Sequence, residues 1–513
     1  MEAGPVGIAP APGAAPGGAP VPHVRVAVVG SGFSGLGAAI QLKRDGIDDF
    51  VILERAGDVG GTWRDNTYPG CACDVPSQLY SFSFALNPGW TRSFSPQPEI
   101  QEYLRRTTRE QGLLPHLRLG HELLEAAWDD ERQHWRLRTS RGELTATVLI
   151  LGTGPLSEPK VPSVPGLERF AGTIFHSAQW DHAHDLSGER VAVVGTGASA
   201  IQFIPHVQRQ AAQVHLFQRT PPWIMPRVDR GISAPERWLF RHLPGAQRLV
   251  RLSVYWTREW PVVGFTREPR LMRLIERLAR LHLRRQVPDP ELRRRLTPSY
   301  TIGCKRILLS NDYYPALSRP NVEVVDGGLA EVREHSVVGA DGVERPVDTI
   351  ILGTGFHVTD SPTMRRVRGR GGVALAEAWR EGMAAHLGTS IAGFPNLFML
   401  VGPNTGLAHT SIVLMIESQL AYISDALRHL TESGAGALEV RAEVQSAFVE
   451  EMQERLRPTV WNSGGCASWY LDASGRNTTL WPGSTWGYRL RTRTFDPGLH
   501  LIEPARIPAT ASR

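Results

Sequence analysis

The sequence predicts an α/β protein in which two parallel-sheet folds are joined and the second is interrupted by a helical insertion. Three observations predict it. An apolar strand, Val24–Val29, runs into Gly30-Ser-Gly32-Phe-Ser-Gly35 and then a helix. The same order returns at Val191–Val194, followed by Gly195-Thr-Gly197-Ala-Ser-Ala200 and a second helix. Between residues 226 and 302 this second fold gives way to the stretch PRLMRLIERLARLHLRRQ, apolar at helical spacing.

Each glycine in the first unit has a mechanical use. Gly30 permits the tight turn, Gly32 lets a pyrophosphate approach the backbone, and Gly35 lets helix pack on strand. The phosphates then meet a helix N-terminus, where free N–H groups favour negative charge. The following strand, FVILER, closes on Glu54, 24 residues beyond Gly30, where a carboxylate accepts hydrogen bonds from a ribose diol. In the second unit the residue at the same spacing is Arg219, followed by Thr220. A guanidinium takes a 2′-phosphate that a carboxylate would repel. Two Rossmann-like dinucleotide-binding domains follow, the first suited to FAD or NAD and the second to NADP. Gly30, Gly32, Ser34, Gly35 and Glu54 belong to the first site. Gly195, Thr196, Gly197, Ala198, Ser199, Ala200, Gln202, Arg219 and Thr220 belong to the second. An internal echo, VLILGTG at 148–154 and TIILGTGF at 349–356, reads as a late strand of each fold. Two nucleotides in one chain imply NADPH reducing a flavin that passes electrons onward.

The totals are those of a globular protein, 42% hydrophobic and 21% charged over 513 residues. The expected division is a disordered tail at 1–22, an FAD domain from 23–155 and 357–513, an NADP domain from 156–225 and 303–356, and a helical subdomain at 226–302. The Ala/Gly/Pro-rich tail lacks the basic start and apolar core of a signal peptide. No apolar run reaches the length of a spanning helix. Four cysteines, Cys71, Cys73, Cys304 and Cys466, read as too few and scattered for a disulfide framework, pointing to a reducing cytosol. A net charge of +5 without aromatic-interleaved basic runs gives no nucleic-acid groove. Asp181-His-Ala-His184-Asp185 lacks a further ligand, so no metal is expected. The leucines of the 269–286 stretch, Leu271, Leu274, Leu278 and Leu281 with Ile275, are expected to pack on the protein itself rather than on a membrane.

Two further stretches carry chemistry. Gly60–Asp74, GGTWRDNTYPGCACD, offers Gly60 and Gly61 for backbone approach to a flavin, Thr62 beside them in the same site, Trp63 as an aromatic wall, and a Tyr-Pro-Gly turn delivering Asp74. Phe170-x-Gly172-x-x-x-His176-x-x-x-Trp180-Asp181 lies between the glycine motifs and shows no clear periodicity. These stretches, with both glycine motifs in order and spacing, resemble the type I Baeyer–Villiger monooxygenases, within the class B flavoprotein monooxygenases. Trp180-Asp181 is the discriminating pair, since the related heteroatom oxygenases usually carry Tyr or Phe at that Trp.

The resemblance implies FAD held tightly, with Tyr80 added to its site, NADPH, O₂ as co-substrate, and a small ketone converted to an ester or lactone through a C4a-peroxyflavin. It implies that Lys305 joins Arg219 on the 2′-phosphate and that Arg306 is the active-site arginine, oriented by Asp74. Phe170–Asp181 becomes a hinge between domains, with His176 coupling its motion to the nicotinamide. Trp469 falls over the nicotinamide side of the pocket. The run Ser474-Gly-Arg476-Asn477 departs from the cyclohexanone-type pattern and leaves pocket shape open. Oxygenation at sulfur or nitrogen, and an NADPH oxidase or redox sensor without oxygen transfer, stay as alternatives. A monomer in the cytoplasm is expected.

Overall fold

The computed structural model describes residues 21–506, so the tail expectation lies almost wholly outside the described residues. One sheet holds eight strands, in spatial order Val367–Arg368, Leu123–Asp129, His134–Thr139, Gly142–Leu151, His23–Val29, Phe50–Glu54 and Leu117–Leu119, with Leu397–Met399 also paired to Gly142–Leu151. The long strand Gly142–Leu151 makes this possible. Its first half pairs antiparallel with His134–Thr139, and its last three residues pair with Leu397–Met399. The second sheet is wholly parallel, ordered Val322–Asp326, Gln213–Gln218, Arg190–Val194, Thr349–Leu352 and Thr173–His176. Its central strands are buried runs of Val, Ile and Leu, as strands covered on both faces require.

The internal echo has a structural cause. Each echo strand lies beside the first strand of its own fold, with Val29 opposite Leu151 and Val194 opposite Leu352. The glycine ending each echo strand meets the first glycine of the nucleotide turn. A Cβ on Gly30 would fall 2.6 Å from the Gly152 carbonyl oxygen, and one on Gly195 2.3 Å from that of Gly353. Both turn glycines also have positive φ, +97° and +110°.

The linker is more regular than its sequence suggests. Thr173–His176 is an edge strand of the parallel sheet, paired with Thr349–Leu352. Gly172 is required there, since a Cβ would fall 2.2 Å from the Asp348 carbonyl oxygen.

The insertion contains the helices Ala234–His242, Pro244–Glu259, Val262–Thr266, Met272–Gln286 and Pro290–Arg295. Buried Glu259 fastens it to the C-terminal helix Thr485–Arg491 by accepting from the Thr485 amide and hydroxyl, and it pairs with buried His409 at 3.4 Å. The helix Met272–Gln286 corrects the sequence reading. It buries Met272, Ala279, His282 and Leu283, whereas Leu271, Leu274, Leu278 and Leu281 are exposed. The leucine spacing is helical as read, but the contact is made by the adjacent face, where Ile275 alone of the expected residues packs on the core. Among the described residues no helix is long and apolar enough to cross a membrane.

Candidate active site

A single cavity of about 1390 Å³ runs from the first glycine turn, past Asp74 and Arg306, to the second turn and Arg219. It exceeds the roughly 300–1,000 Å³ of an ordinary small-molecule pocket, as a site for two dinucleotides must.

At the first end, Gly30, Gly32, Ser34, Glu54, Gly61, Thr62, Trp63, Asp74 and Tyr80 line the cavity. Gly35 does not. It packs the helix on the strand, a Cβ there falling 1.8 Å from the Gly30 carbonyl oxygen. Glu54 is buried, accepting from the Ser31 amide and hydroxyl at 3.0 and 2.7 Å and pairing with Arg64 at 2.9 Å. Gly61 approaches the first turn so closely that a Cβ would sit 3.2 Å from the Gly32 Cα. Trp63 donates its indole N–H to the Tyr80 hydroxyl at 3.0 Å, making a joined aromatic wall. This narrow backbone cradle with its buried carboxylate fits an adenine dinucleotide.

At the other end, Gly195, Thr196, Gly197, Ala198, Ser199, Gln202, Arg219, Thr220 and Lys305 line the cavity. Ala200 is buried against Gly353 instead. Gln202 also ties the two folds together, accepting from the Tyr68 hydroxyl and Ala72 amide and donating to the Ala72 carbonyl. Burial, and next the neighbouring Arg219 charge, lower the Lys305 pKa. Among the described residues neither cation has an ion-pair partner. Two neighbouring cations that lack a counter-ion among the described residues fit a 2′-phosphate.

Between the two ends lies the Asp74–Arg306 pair. Arg306 donates from Nε to Oδ2 at 2.6 Å and from Nη2 to Oδ1 at 2.7 Å, a bidentate fork, while Nη1 donates to the Leu407 carbonyl at 3.3 Å. Asp74 pushes the Arg306 pKa up, more than offsetting burial, so the guanidinium stays charged. Burial would raise the Asp74 carboxyl, but Arg306 outweighs it and holds the carboxyl below its ordinary range. Trp469 lines the cavity at its exposed rim and packs on Tyr470, whose phenol burial pushes up to about 12.

Four features here escape the sequence reading. Arg64 directly follows Trp63 in a motif read for its glycines and aromatics. The Leu407 carbonyl comes from a Gly/Pro-rich loop, 402–411, that leads into the helix Ile412–Glu432. Tyr470 follows Trp469 directly. The fourth is a correction: Cys304 and Cys466 form a disulfide across 162 residues, fastening the Lys305-Arg306 segment to the loop bearing Trp469. Spacing so wide carries no pairing signal in one sequence. Cys71 and Cys73 are free and buried, and burial pushes the Cys71 thiol up to about 12.

The linker residues stand apart from the cavity. Phe170, Gly172, His176, Trp180 and Asp181 do not line it, and only the neighbouring Ser177 does. His176 is buried, accepts from the Ala178 amide at 3.1 Å and meets Phe356 edge to face. Burial lowers its pKa. Trp180 packs between Phe175 and Phe203, and exposed Asp181 accepts from the Ala183 amide. His182 bonds to Thr67 and His184 to Glu189 and Thr349.

Comparison with known proteins agrees with this geometry. Residues 27–235 match the family described as pyridine nucleotide-disulphide oxidoreductase. A Baeyer–Villiger monooxygenase of Streptomyces coelicolor is 55% identical over 494 residues, 96% of this chain and 95% of that protein. The chain belongs to the Baeyer–Villiger monooxygenases. It is an FAD- and NADPH-dependent flavin monooxygenase. A steroid monooxygenase solved with NADP superposes with a TM-score of 0.82 at 30% identity, covering 94% of this chain and all of that one. A second structure, OTEMO with FAD and NADP, gives 0.83 at 25% identity over 91% of this chain and 97% of that one.

Proposed function

We propose that this monooxygenase inserts one atom of O₂ beside the carbonyl of a small ketone, giving an ester or lactone, with Arg306 as the catalytic cation. The Asp74–Arg306 fork, lining the same cavity as both glycine turns, supports this most directly. Gly30, Gly32, Ser34, Glu54, Gly61, Thr62, Trp63 and Tyr80 would hold FAD. Gly195–Ser199 would hold NADPH, and Arg219, Thr220 and Lys305 would take its 2′-phosphate. When bound, NADPH supplies hydride to the flavin and the reduced flavin activates O₂.

The chain's own groups do the rest. Arg306 stabilises negative charge on the oxygen that attacks and then on the former carbonyl oxygen. Asp74 positions that guanidinium, and the Leu407 carbonyl fixes the nitrogen that Asp74 does not hold. Trp469 and Tyr470 close the nicotinamide side against water. His176 and Trp180 act through packing, as the hinge on which the parallel sheet moves. The chain divides into an FAD domain, an NADP domain and a helical insertion. It acts as a monomer on a small molecule and not on nucleic acid.

The test supplies the purified FAD-loaded protein with NADPH, ¹⁸O₂ and a panel of cyclic, aryl and long-chain ketones beside a thioether. A labelled ester or lactone is expected. Sulfoxide alone, or labelled hydrogen peroxide alone across the panel, refutes the proposal.

A further inference from the structure

Charge is unevenly divided in this chain. Residues 226–302 hold seventeen arginines and no lysine against seven acidic residues, a net +10, so the remainder of the chain, at +5 overall, carries −5. The same segment exposes an unusual amount of apolar surface. On Pro244–Glu259 and its C-cap, Leu249, Leu252, Trp256 and Trp260 are 52–70% exposed and follow one another at three- and four-residue steps, a single helical stripe. On Met272–Gln286 and the residue before it, Leu271, Leu274, Leu278 and Leu281 make a second stripe. Arg273, Arg277 and Arg284 run alongside the second stripe and form no ion pair among the described residues. Trp486 and Leu490, one turn apart on Thr485–Arg491, add exposed apolar surface on the helix that Glu259 and Tyr255 hold against the insertion.

We propose that the helical insertion is a docking face for the anionic phospholipid surface of a membrane. Apolar stripes bounded by arginine, with tryptophans on the apolar side, are the pattern of a helix lying in the headgroup plane. The alternative, a second copy of this chain, is opposed by charge. A two-fold interface would bring two insertions of net +10 together, whereas an anionic lipid surface attracts each one. Apolar patches of this extent on a monomer mark an interaction site. The protein lies on the membrane without crossing it, because no described helix is long and apolar enough to span.

The test mixes FAD-loaded full-length protein with vesicles containing phosphatidylglycerol, or with vesicles of phosphatidylcholine alone, and measures bound protein by flotation. Binding is expected to the anionic vesicles only and to fall with added salt. Each arginine near such a surface is worth about fivefold in partitioning, so Arg273→Gln/Arg277→Gln weakens it about 25-fold. Leu274→Ser/Leu278→Ser is expected to abolish flotation. All four side chains are exposed, so both variants keep the native melting temperature and native NADPH oxidation. Equal binding to both vesicle types, no binding, or native binding by the leucine variant overturns the proposal. So does light scattering that shows a dimer which the leucine variant dissociates, because the stripes then cover each other.

Discussion

Replacing Arg219 or Lys305 tests the assignment of the NADPH end through discrimination between two coenzymes. The perturbations are Arg219→Gln and Lys305→Met, alone and together. A hydrogen bond to a charged group is worth about 1.5–3 kcal/mol. Arg219 is exposed, so water reduces its share to the low end, a rise of about tenfold in the KM for NADPH. Lys305 is partly buried, so its loss falls near the upper end, about 100-fold. Burial, and next the Arg219 charge, lower the Lys305 pKa. Removing Arg219 therefore leaves Lys305 the stronger cation, the single losses are partly compensated, and the double variant loses more than the product of the single effects. The assay is steady-state turnover with NADPH and with NADH across pH. NADH lacks the 2′-phosphate, so its KM stays near native in all three variants. At alkaline pH the native KM for NADPH climbs as Lys305 loses its proton below the ordinary lysine range. In Arg219→Gln the Lys305 pKa is higher, so that climb moves to higher pH. Parallel rises for both coenzymes, or an unmoved alkaline limb, refute the reasoning.

The other perturbations act on packing, charge and crosslinking. Gly30→Ala sets a Cβ 2.6 Å from a backbone oxygen at a φ of +97°, so the purified variant is expected to lose its flavin absorbance on gel filtration. Asp74→Asn leaves Arg306 charged but loosely held, and ester formation falls about 100-fold while NADPH oxidation persists. Asp74 has a folded pKa below its unfolded value, so its stabilisation is present above about pH 4 and lost as pH falls further. Native and Asp74→Asn melting temperatures therefore differ at neutral pH and converge in acid. Cys466→Ser removes a crosslink spanning 162 residues, worth on the order of 5 kcal/mol by chain entropy. It lowers the melting temperature, and dithiothreitol brings the native protein to the same value.

What the sequence discloses is mostly local. Gly30, Gly35 and Gly195 announce themselves because a tight turn and a strand–helix contact leave no room for Cβ. Arg219 and Glu54 are legible because strand length fixes where each must stand. The features that escape depend on distant chain meeting distant chain. Cys304 and Cys466 carry no mark of each other, and the Leu407 carbonyl has no side-chain signature. Gln202 is legible as a turn residue but not as the tie to Ala72. The helix Met272–Gln286 shows the limit of periodicity, which reveals an apolar stripe without saying whether anything covers it. The linker Phe170–Asp181 illustrates the converse. Its edge strand is four residues long, too short to show a period, yet the sheet recruits it through Thr349–Leu352.

Arg306 carries the central claim, and Arg306→Ala tests it most directly when NADPH consumption and ester production are measured in the same reaction with an accepted ketone. The account predicts continued NADPH oxidation with hydrogen peroxide as the product and no detectable ester. Ester formation at the native rate would contradict it.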